Sequence, residues 1–362
     1  MAKKRIIAAV TNDLTFDRRM IRNCSALVEA GHSVLLIGRK LPESAELVSQ
    51  TFEQKRITCL FRKGPLFYAE YNLRLFFFLF RQNFEIANST DADTLLAIGL
   101  ICKLRNKIHV HDAHEYFSEV PELTNRKFTR WVWLKIEHYF IPKTKLAYTV
   151  SESIANIYTQ LFNVQFNVIR NVPPLQTVSF PEEAQSNTII YQGALNKGRG
   201  LEALIKAMTE VDGNLLIAGD GDISNELHEL TRRLKLHNKV TFLGMVNPEN
   251  LREITLKAKI GVNLCENLGL NYYFALSNKG FDYIHAHIPA VTNNFPEYVK
   301  LNAQYETMLL TECTPENISA SINRLLNDKE YYQRLRNNCL LAEKDLNWQK
   351  ESNKLKELYA HI

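Results

Sequence analysis

The chain has 362 residues, 46% of them hydrophobic and 23% charged, which is an ordinary composition for a globular protein. A chain of this length exceeds what one hydrophobic core comfortably holds, so we expect two domains. No run of about 18 apolar residues occurs, so no membrane-spanning helix is predicted. The first residues lack the apolar core of a signal peptide, so none is expected. The six cysteines form no CxxC pair, so they predict reduced thiols in a cytoplasmic protein rather than a zinc site or a disulfide scaffold.

Charge is divided unevenly along the chain. Residues 1–150 carry 23 Lys and Arg against 15 Asp and Glu, whereas the remaining residues carry 21 against 24. A basic N-terminal half suits anionic lipid headgroups or phosphorylated acceptors, but a solvated basic surface accounts for the excess equally well. No nucleic acid partner is predicted.

The N-terminal half opens with a β-α-β pattern. The apolar strand Arg5–Val10 precedes a helix whose apolar residues from Met20 to Val28 recur at helical spacing. Gly31 ends the helix and His32–Ile37 forms the next strand. Short runs of Val, Ile and Leu are typical of a parallel sheet buried on both faces. Further strands are predicted at Thr94–Ile98, Lys107–Val110, Leu146–Val150 and Gln165–Ile169.

The second half repeats this alternation after a change of composition. Residues 173–187 are polar and rich in proline, and we expect a linker there between an N-terminal domain of residues 1–172 and a C-terminal domain of residues 188–344. A helix over about residues 345–362 is expected to pack back on the N-terminal domain. In the second half, strands are predicted at Thr188–Gln192, Asn214–Ala218, Lys239–Leu243, Ile260–Leu264, Ala290–Thr292 and Thr307–Leu310, and helices at Leu201–Met208, Ser224–Leu236, Pro248–Ala258, Asn278–Ala286 and Pro315–Leu326. This alternation predicts two doubly wound α/β domains, with a ligand in the cleft between them at the carboxyl ends of the strands.

Two glycine-rich turns follow the first two strands of the second half. In the turn from Tyr191 to Gly200, glycines such as Gly193 allow a ligand to approach the backbone closely, and Lys197 and Arg199 add positive charge for a diphosphate. Gly219 lies in the second turn. A tight strand-to-helix connection would explain either turn without a ligand.

A polar and aromatic stretch over residues 265–283 ends in a predicted helix. Ser277 or Asn278 is a suitable N-cap, which leaves backbone amides for a phosphate. Asp282 lies one turn beyond Asn278 and Lys279 on the same face, and a carboxylate there can accept two hydrogen bonds from a ribose diol. The alternative is a helix cap, a surface cation and a solvated acid.

Histidines and acids gather at the end of an N-terminal strand, over residues 109–116. Strand alternation puts His109 and His111 on one face, whereas His114 lies in the loop beyond the strand. Neither an HExxH pattern nor a cysteine partner accompanies them, so we expect no metal there. We interpret the segment as an active-site loop in which His114 or Asp112 faces the substrate.

Two aromatic and basic segments, residues 74–81 and 126–135, also belong to the N-terminal half. They are explained either by peripheral contact with a membrane surface or by helices packed on the sheet.

In their order, these segments resemble the retaining GT-B enzymes of glycosyltransferase family 4 over essentially the whole chain. The resemblance is carried by the first β-α-β unit with Asp17 and Arg18, by the loop His111–Phe117, and by Asn278–Tyr283 with Ile288–Val291 after it. The last of these is similar to an Asn-Lys-x-x-Glu-Tyr…Pro-x-Val signature. The resemblance implies a GT-B fold, in which two Rossmann-like domains face each other across a cleft.

The resemblance also implies a division of labour, with a nucleotide-sugar donor on the C-terminal domain and the acceptor on the N-terminal domain. Donor contacts would come from Gly193, Lys197, Arg199, Gly219, Glu266, Asn278, Lys279 and Asp282. Asp17 and Arg18 would lie on the acceptor side, and His114 and Asp112 would face the donor sugar and the acceptor. Sugar transfer would retain the anomeric configuration and would need neither a metal nor another cofactor.

Two hypotheses remain open at this point. The first is an active transferase that moves a sugar onto a glycan or lipid-linked acceptor in cell-envelope or exopolysaccharide synthesis, at the inner face of the plasma membrane. The second is a catalytically degenerate GT-B protein that binds a nucleotide or serves as a scaffold. Phe274 favours the second, because it stands where the family pattern has the first of two glutamates, with Glu266 as a candidate replacement upstream. Ala194 stands where many members have an arginine.

Overall fold

A computed structural model describes residues 3–15, 17–120, 123, 126–176 and 187–362, and its contacts divide the chain into two units. The N-terminal unit comprises Met1–Asn171, Gly269–Asn271 and Lys350–Ile362, and the C-terminal unit comprises Val172–Leu268 and Tyr272–Gln349. The predicted linker falls largely on residues 177–186, which lie outside the described residues.

The N-terminal unit is built on a sheet of seven parallel strands in the order β3-β2-β1-β4-β5-β6-β7. The strands are β1 (Arg5–Ala9), β2 (Ser33–Lys40), β3 (Glu53–Thr58), β4 (Ile86–Thr90), β5 (Ile108–Ala113), β6 (Leu146–Thr149) and β7 (Phe166–Val168). The helices are α1 (Arg18–Glu29), α2 (Gly64–Phe80), α3 (Asp91–Arg105), α4 (Lys127–Phe140) and α5 (Glu152–Phe162). Because every pair is parallel, the carboxyl ends of all seven strands lie along one edge of the sheet.

The first β-α-β unit is confirmed, and Gly31 ends the helix with a φ of 92°. The strand predicted over Thr94–Ile98 is wrong, because these residues lie inside α3 and the strand is β4, just upstream. Helix α3 packs against α2 and α4 and against the sheet, so it is buried on several sides and lacks the one-sided apolar period of a surface helix. The edge strand β3 escaped prediction because only Ile57 in it is buried.

The C-terminal unit is built on six parallel strands in the order β10-β9-β8-β11-β12-β13. The strands are β8 (Thr188–Gln192), β9 (Asn214–Ala218), β10 (Val240–Gly244), β11 (Ile260–Asn263), β12 (Ala290–Asn293) and β13 (Met308–Thr311). The helices after β8 are α6 (Leu201–Ala207), α7 (Ser224–Arg233), α8 (Pro248–Lys257), α9 (Leu270–Phe274), α10 (Asn278–His285), α11 (Pro296–Tyr305), α12 (Pro315–Asn327), α13 (Lys329–Ala342) and α14 (Trp348–Ala360). The residues of α9 and α14 are divided between the two units. All six strands predicted here are confirmed, with ends that differ by a single residue at most. Their buried Ile, Val and Leu side chains form the core of the unit.

The end of the chain, from Lys350, belongs to the N-terminal unit. The backbone amide of Arg170 donates to Glu351 at 2.9 Å, and Leu355 and Tyr359 are buried. All six cysteines are free thiols. Across the described residues, we find no helix long and apolar enough to cross a bilayer.

Candidate active site

Asp112 and His114 lie at the carboxyl end of β5, where the sequence predicted an active-site loop. Asp112 is fully buried, and its Oδ2 lies 3.1 Å from His114 Nε2. Burial by itself would lower the pKa of His114, but the charge of Asp112, with help from Asp91, raises it above its ordinary value. The ring is therefore held with Nε2 toward Asp112 and Nδ1 toward Asp91.

Arg19 and Asn23, both on α1, occupy the remaining positions around the Asp112 carboxylate. Arg19 Nη2 donates to Oδ1 at 2.8 Å and Asn23 Nδ2 donates to Oδ2 at 3.1 Å. Although burial opposes ionisation, Arg19 and His114 lower the pKa of Asp112 well below its ordinary range. Both carboxylate oxygens thus accept from protein groups and the side chain is fully buried, so Asp112 orients His114 and is not exposed to a substrate.

Asp17 and Arg18 take other places at the start of the same helix. Asp17 is the N-cap of α1 and accepts from the backbone amide of Met20 at 3.1 Å. The side chain of Arg18 is exposed, whereas that of its neighbour Arg19 is buried against Asp112. The role of Arg19 could therefore not be predicted, because nothing in the sequence of two adjacent arginines tells which one points inward.

Two further acids, Asp91 and Asp93, begin α3 beside His114. Asp91 accepts from the backbone amide of His114 at 2.7 Å, and its Oδ2 lies 3.8 Å from His114 Nδ1. Asp91 has a φ of 52°, which a non-glycine residue adopts only when its surroundings hold it there. Burial raises the pKa of Asp91 to about 7 and that of Asp93 to about 6. The strand misplaced at Thr94–Ile98 hid these acids from the sequence analysis.

His109 and His111 are structural residues of the sheet. Ser89 Oγ lies 2.9 Å from His109 Nε2 and 3.0 Å from His111 Nδ1. Burial lowers the pKa of His109 to about 3 and that of His111 to about 4, so both are neutral. Within the described part of the chain, no three His, Cys, Asp or Glu side chains are grouped so as to hold a metal ion.

In the C-terminal unit, the two predicted glycine turns touch each other at the ends of β8 and β9. A Cβ atom added to Gly219, whose φ is 145°, would lie 1.9 Å from the carbonyl oxygen of Gly193. Gly193 in turn donates its amide to Ala218 at 2.9 Å. Only glycine permits this approach, and it exposes the backbone of Gly193 at the edge of the sheet.

Two cations lie beside this turn without a carboxylate partner among the described residues. The buried ammonium of Lys279 lies 4.2 Å from the ring centroid of Tyr191, and the guanidinium of Arg199 lies 4.8 Å from that of Tyr272. Arg199 also donates to the Cys265 thiol at 3.9 Å. Burial lowers the pKa of Lys279 to about 8, with the charge of Arg199 adding to the effect. Two neighbouring cations that meet only aromatic rings and a thiol make a site for an anion.

Asp282 faces the end of β8 from α10. Gln192 Nε2 donates to Asp282 Oδ2 at 2.9 Å, and Thr255 donates to the other end of the same amide at 2.8 Å. Asn278, at the first position of α10, is exposed, and Ser277 at its N-cap makes no side-chain capping bond. A carboxylate held in this way keeps one orientation and can serve a hydroxyl-bearing ligand.

Glu266 and Lys197 lie at the border of this region. The amide of Glu266 donates to the carbonyl of Gly198 at 2.8 Å, and burial raises the pKa of its carboxyl group. Lys197 is exposed. Phe274, at the position of the absent family glutamate, packs its ring edge-on against Tyr273 with centroids 5.0 Å apart. Glu266 is therefore attached to the glycine turn rather than to the segment around Phe274.

The predicted donor residues thus come together within one unit, and the predicted catalytic residues within the other. Gly193, Gly219 and Asp282 meet at the ends of β8 and β9, with Arg199 and Lys279 beside them. Four residues of the predicted motifs to which the sequence assigned no role complete the cluster: Gln192, Tyr191, Cys265 and Tyr272. Gln192 and Tyr191 end a predicted strand, which is the signal that could have revealed them.

Two family models match the chain in succession. Residues 17–174 match the model described as Glycosyltransferase Family 4, and residues 176–340 match the model described as Glycosyl transferases group 1. An uncharacterized glycosyltransferase of Methanocaldococcus jannaschii, MJ1607, is 27% identical over 165 residues, which is 44% of this chain and 40% of that protein.

Solved structures share the fold over nearly the full length. Sucrose-phosphate synthase from Thermosynechococcus elongatus superposes with a TM-score of 0.81 at 17% identity, covering 99% of each chain. Anabaena Alr3699/HepE, solved in complex with UDP-glucose, superposes with a TM-score of 0.74 at 14% identity, covering 99% of this chain and 100% of that one. At these identities the likeness establishes the GT-B fold, which confirms the predicted fold class.

Proposed function

Because this chain belongs to glycosyltransferase family 4, we propose that it transfers a sugar, with retention, from a nucleotide-sugar donor to a glycan or lipid-linked acceptor in cell-envelope or exopolysaccharide synthesis. One observation carries the proposal above all. Lys279 and Arg199 lie beside the glycine turn and meet no described carboxylate. A diphosphate is the anion that two such cations would neutralise.

We assign the donor to the C-terminal unit. In this proposal Arg199 and Lys279 bind the diphosphate, the exposed backbone at Gly193 approaches it, and Asp282 accepts from the ribose hydroxyls while Gln192 fixes its orientation. Lys197 and the amides at Asn278 add weaker contacts from exposed positions. The UDP-glucose bound by the HepE structure makes that donor the first to test.

We also propose that His114 takes part as a hydrogen-bond donor rather than as a base, because Asp112 raises the pKa of its imidazole. An imidazolium whose Nε2 is held by Asp112 keeps Nδ1 as a donor to a sugar or acceptor hydroxyl, because the Asp91 oxygen is 3.8 Å away. Neither His114 nor Asp112 is then a base or nucleophile. The bond from the anomeric carbon to the diphosphate breaks, the bond to the acceptor oxygen forms on the same face, and the acceptor proton passes to a diphosphate oxygen. The protein contributes charge stabilisation of the leaving group.

We also assign a membrane contact to the N-terminal unit. Helices α2, α3 and α4 pack side by side, and each carries large exposed apolar side chains, namely Leu66, Leu73, Phe77, Phe80, Leu100, Leu104, Phe128, Trp131 and Tyr139. Lys103, Lys135 and Lys143 lie over Tyr139 or Trp131 on the same helices or next to them. Aromatic rings with interleaved cations suit the headgroup region of an anionic membrane. Helix α3 packs on β4 and β5, and α2 and α4 pack on α3. Packing within the unit therefore accounts for the buried faces of these helices, and the proposed membrane contact concerns their exposed faces.

Thermal-shift measurements with UDP, GDP, ADP and their glucose conjugates test donor binding. The matching nucleotide is expected to raise the Tm, because binding to the folded protein stabilises it by mass action. Arg199→Met should abolish that shift, and Lys206→Met, an exposed lysine on α6, should leave it unchanged. Absence of a shift with every nucleotide would contradict the proposal, and proton NMR of the product anomer would decide retention.

A second candidate function is a GT-B protein that binds a nucleotide without catalysing transfer, and Phe274 is the residue that favours it. Its ring packs on Tyr273, which in turn lies 5.2 Å from Phe295, so the position of the family acid is filled by an aromatic cluster. This candidate predicts nucleotide binding without donor hydrolysis or transfer. Hydrolysis of a radiolabelled donor by the natural chain would exclude it.

A further inference from the structure

A cavity of about 390 Å³ opens at the carboxyl ends of β2 and β3 in the N-terminal unit. We call it the β2–β3 pocket, and its walls are formed by Arg39, Lys40, Leu41, Pro42, Thr58, Cys59, Leu60, Phe61, Arg62 and Phe67. Its volume lies in the range of sites for small ligands. No part of the function proposed above uses it.

Three cations and no acid line the β2–β3 pocket. The guanidinium of Arg39 lies 4.8 Å from the ring centroid of Phe67 and donates to the carbonyl of Arg62 at 3.2 Å, while its Nε is buried and finds no partner. Neither Lys40 nor Arg62 forms an ion pair with a described carboxylate. Such a concentration of positive charge selects an anion.

The acids near the pocket are engaged elsewhere. Glu70 accepts from the backbone amides of Leu60 and Phe61 and pairs with Arg74 at 2.7 Å. Asp13 pairs with Arg56 at 2.6 Å. Glu70 therefore fixes the wall of the pocket without neutralising its cations.

The rim of the pocket is apolar and exposed. Leu60 is 80% exposed and Phe61 45%. Leu66 does not line the pocket, but it precedes the lining residue Phe67 in α2 and is 60% exposed. Free inorganic phosphate or a sugar phosphate would gain nothing from this rim, whereas a hydrocarbon chain attached to a phosphate would cover it. Leu66 also belongs to the exposed surface of α2 that we assign to the membrane.

The pocket and His114 lie along the same edge of one sheet. The amide of Arg39 donates to the carbonyl of Asn12 at 3.0 Å, and the hydroxyl of the preceding Thr11 donates to Asp93, beside His114. A ligand whose charged head is held in the pocket would therefore lie on the edge of the sheet that also carries the proposed catalytic loop, with β1 and β4 between them.

We propose that the β2–β3 pocket binds the phosphate head of an amphiphile, with its hydrocarbon chain lying on the apolar rim. That the bound amphiphile is the sugar acceptor rests on the proposed function. That the pocket binds an amphiphile does not. Arg39 and Arg62 contact the phosphate, and Leu60 and Phe61 contact the chain.

Titration calorimetry on the full chain tests the pocket with dihexanoyl phosphatidic acid below its critical micelle concentration. We expect tighter binding than for dihexanoyl phosphatidylcholine or inorganic phosphate, and a loss of at least about tenfold in Arg39→Gln/Arg62→Gln, because each cation makes a charged hydrogen bond. The matched control Lys55→Gln/Lys63→Gln removes two exposed cations that do not line the pocket, and its affinity should change by less than about twofold.

Unchanged binding in Arg39→Gln/Arg62→Gln would overturn the proposal, as would equal affinity for phosphatidylcholine. Equal affinity for inorganic phosphate would mean that the pocket binds phosphate alone, and it would overturn the proposal that the ligand is an amphiphile. If circular dichroism shows that the double variant does not fold, the exposed Arg62→Gln alone decides, with a severalfold loss expected and wild-type affinity overturning the proposal. UDP binding measured on the same samples separates the two ideas: lipid binding without nucleotide binding contradicts the proposed function only, and the reverse contradicts the pocket only.

Discussion

In the N-terminal unit the buried guanidinium of Arg19 lies 2.8 Å from the carboxylate of Asp112, whereas in the C-terminal unit the buried ammonium of Lys279 lies over the ring of Tyr191 and meets no described acid. In the first arrangement the two charges neutralise each other, and Asp112 also fixes the orientation of His114. In the second, we propose that a bound anion supplies the missing negative charge. Equally buried charges can therefore serve structure in one unit and, as we propose, binding in the other.

The largest effect is expected for Arg19→Met. It leaves the buried carboxylate of Asp112 without its cation, so the free energy of unfolding should fall by about 3–5 kcal/mol. A urea titration followed by tryptophan fluorescence measures it. Arg18→Met, at the exposed neighbouring position, should change stability by less than about 0.5 kcal/mol. Equal losses in the two variants would mean that the pair with Asp112 carries no stability.

The next largest effect is expected at Glu137. This acid of the N-terminal unit is also buried, but a bound proton rather than a cation neutralises its charge. Burial, with the charges of Asp91 and Glu119, raises the pKa of Glu137 from 4.5 to about 8. The folded state therefore holds this proton more tightly than the unfolded state, so its contribution is complete below about pH 4.5 and is lost as the pH rises through about 8. Stability should fall by a few kcal/mol over that window.

Glu137→Gln should flatten this pH dependence, measured as the urea midpoint from about pH 5 to pH 8. Glu46→Gln, on an exposed side chain, is the control and should keep the slope. If stability depends on pH equally in Glu137→Gln, another group causes that dependence. Asp91, whose pKa burial raises to about 7, is one such group.

Lys279→Met should separate binding from stability. Removal of the cation is expected to weaken nucleotide affinity by roughly 10- to 100-fold, the value of a charged hydrogen bond. Stability should be unchanged or higher, because an apolar chain of similar size replaces an unpaired buried charge. Calorimetry with the nucleotide found by thermal shift, and the Tm without it, are the two readouts. A large fall in Tm would place Lys279 with Arg19 as a structural charge.

The smallest effect is expected for Asp282→Asn. The amide can still accept from Gln192 but loses charge toward the ribose, so affinity should fall about fivefold, or about 1 kcal/mol. The Tm should stay within a degree or so of the natural chain. Comparison with the matching deoxyribonucleotide checks the cause, since Asp282→Asn should bind both sugars alike.

Much of the C-terminal unit could be predicted, because each of its strands is an apolar run bounded by polar or glycine turns, as in Asn214–Ala218 followed by Gly219. The N-terminal unit was harder for physical reasons. Helix α3 is buried on several sides and imitates a strand in sequence, and β3 has too few buried residues to show an apolar pattern.

The site was predicted as a set of residue types rather than as a network. Arg199, Lys279 and Asp282 were predicted because they follow strands. The contact of Lys279 with the ring of Tyr191 could not be predicted, because it depends on how α10 packs beside β8. The β2–β3 pocket was missed entirely, because Arg39 and Arg62 are 23 residues apart and only the parallel pairing of β2 and β3 brings them together.

The contact between Gly219 and Gly193 also bears on redesign of the donor specificity. A Cβ at position 219 would lie 1.9 Å from a backbone oxygen, so no side chain fits there and the two turns cannot shift independently. A mutagenesis library should therefore keep both glycines and place its diversity at Ala194 and Lys197, which are exposed on the same turn. In this turn the backbone conformation must be kept, whereas the exposed side chains can be replaced.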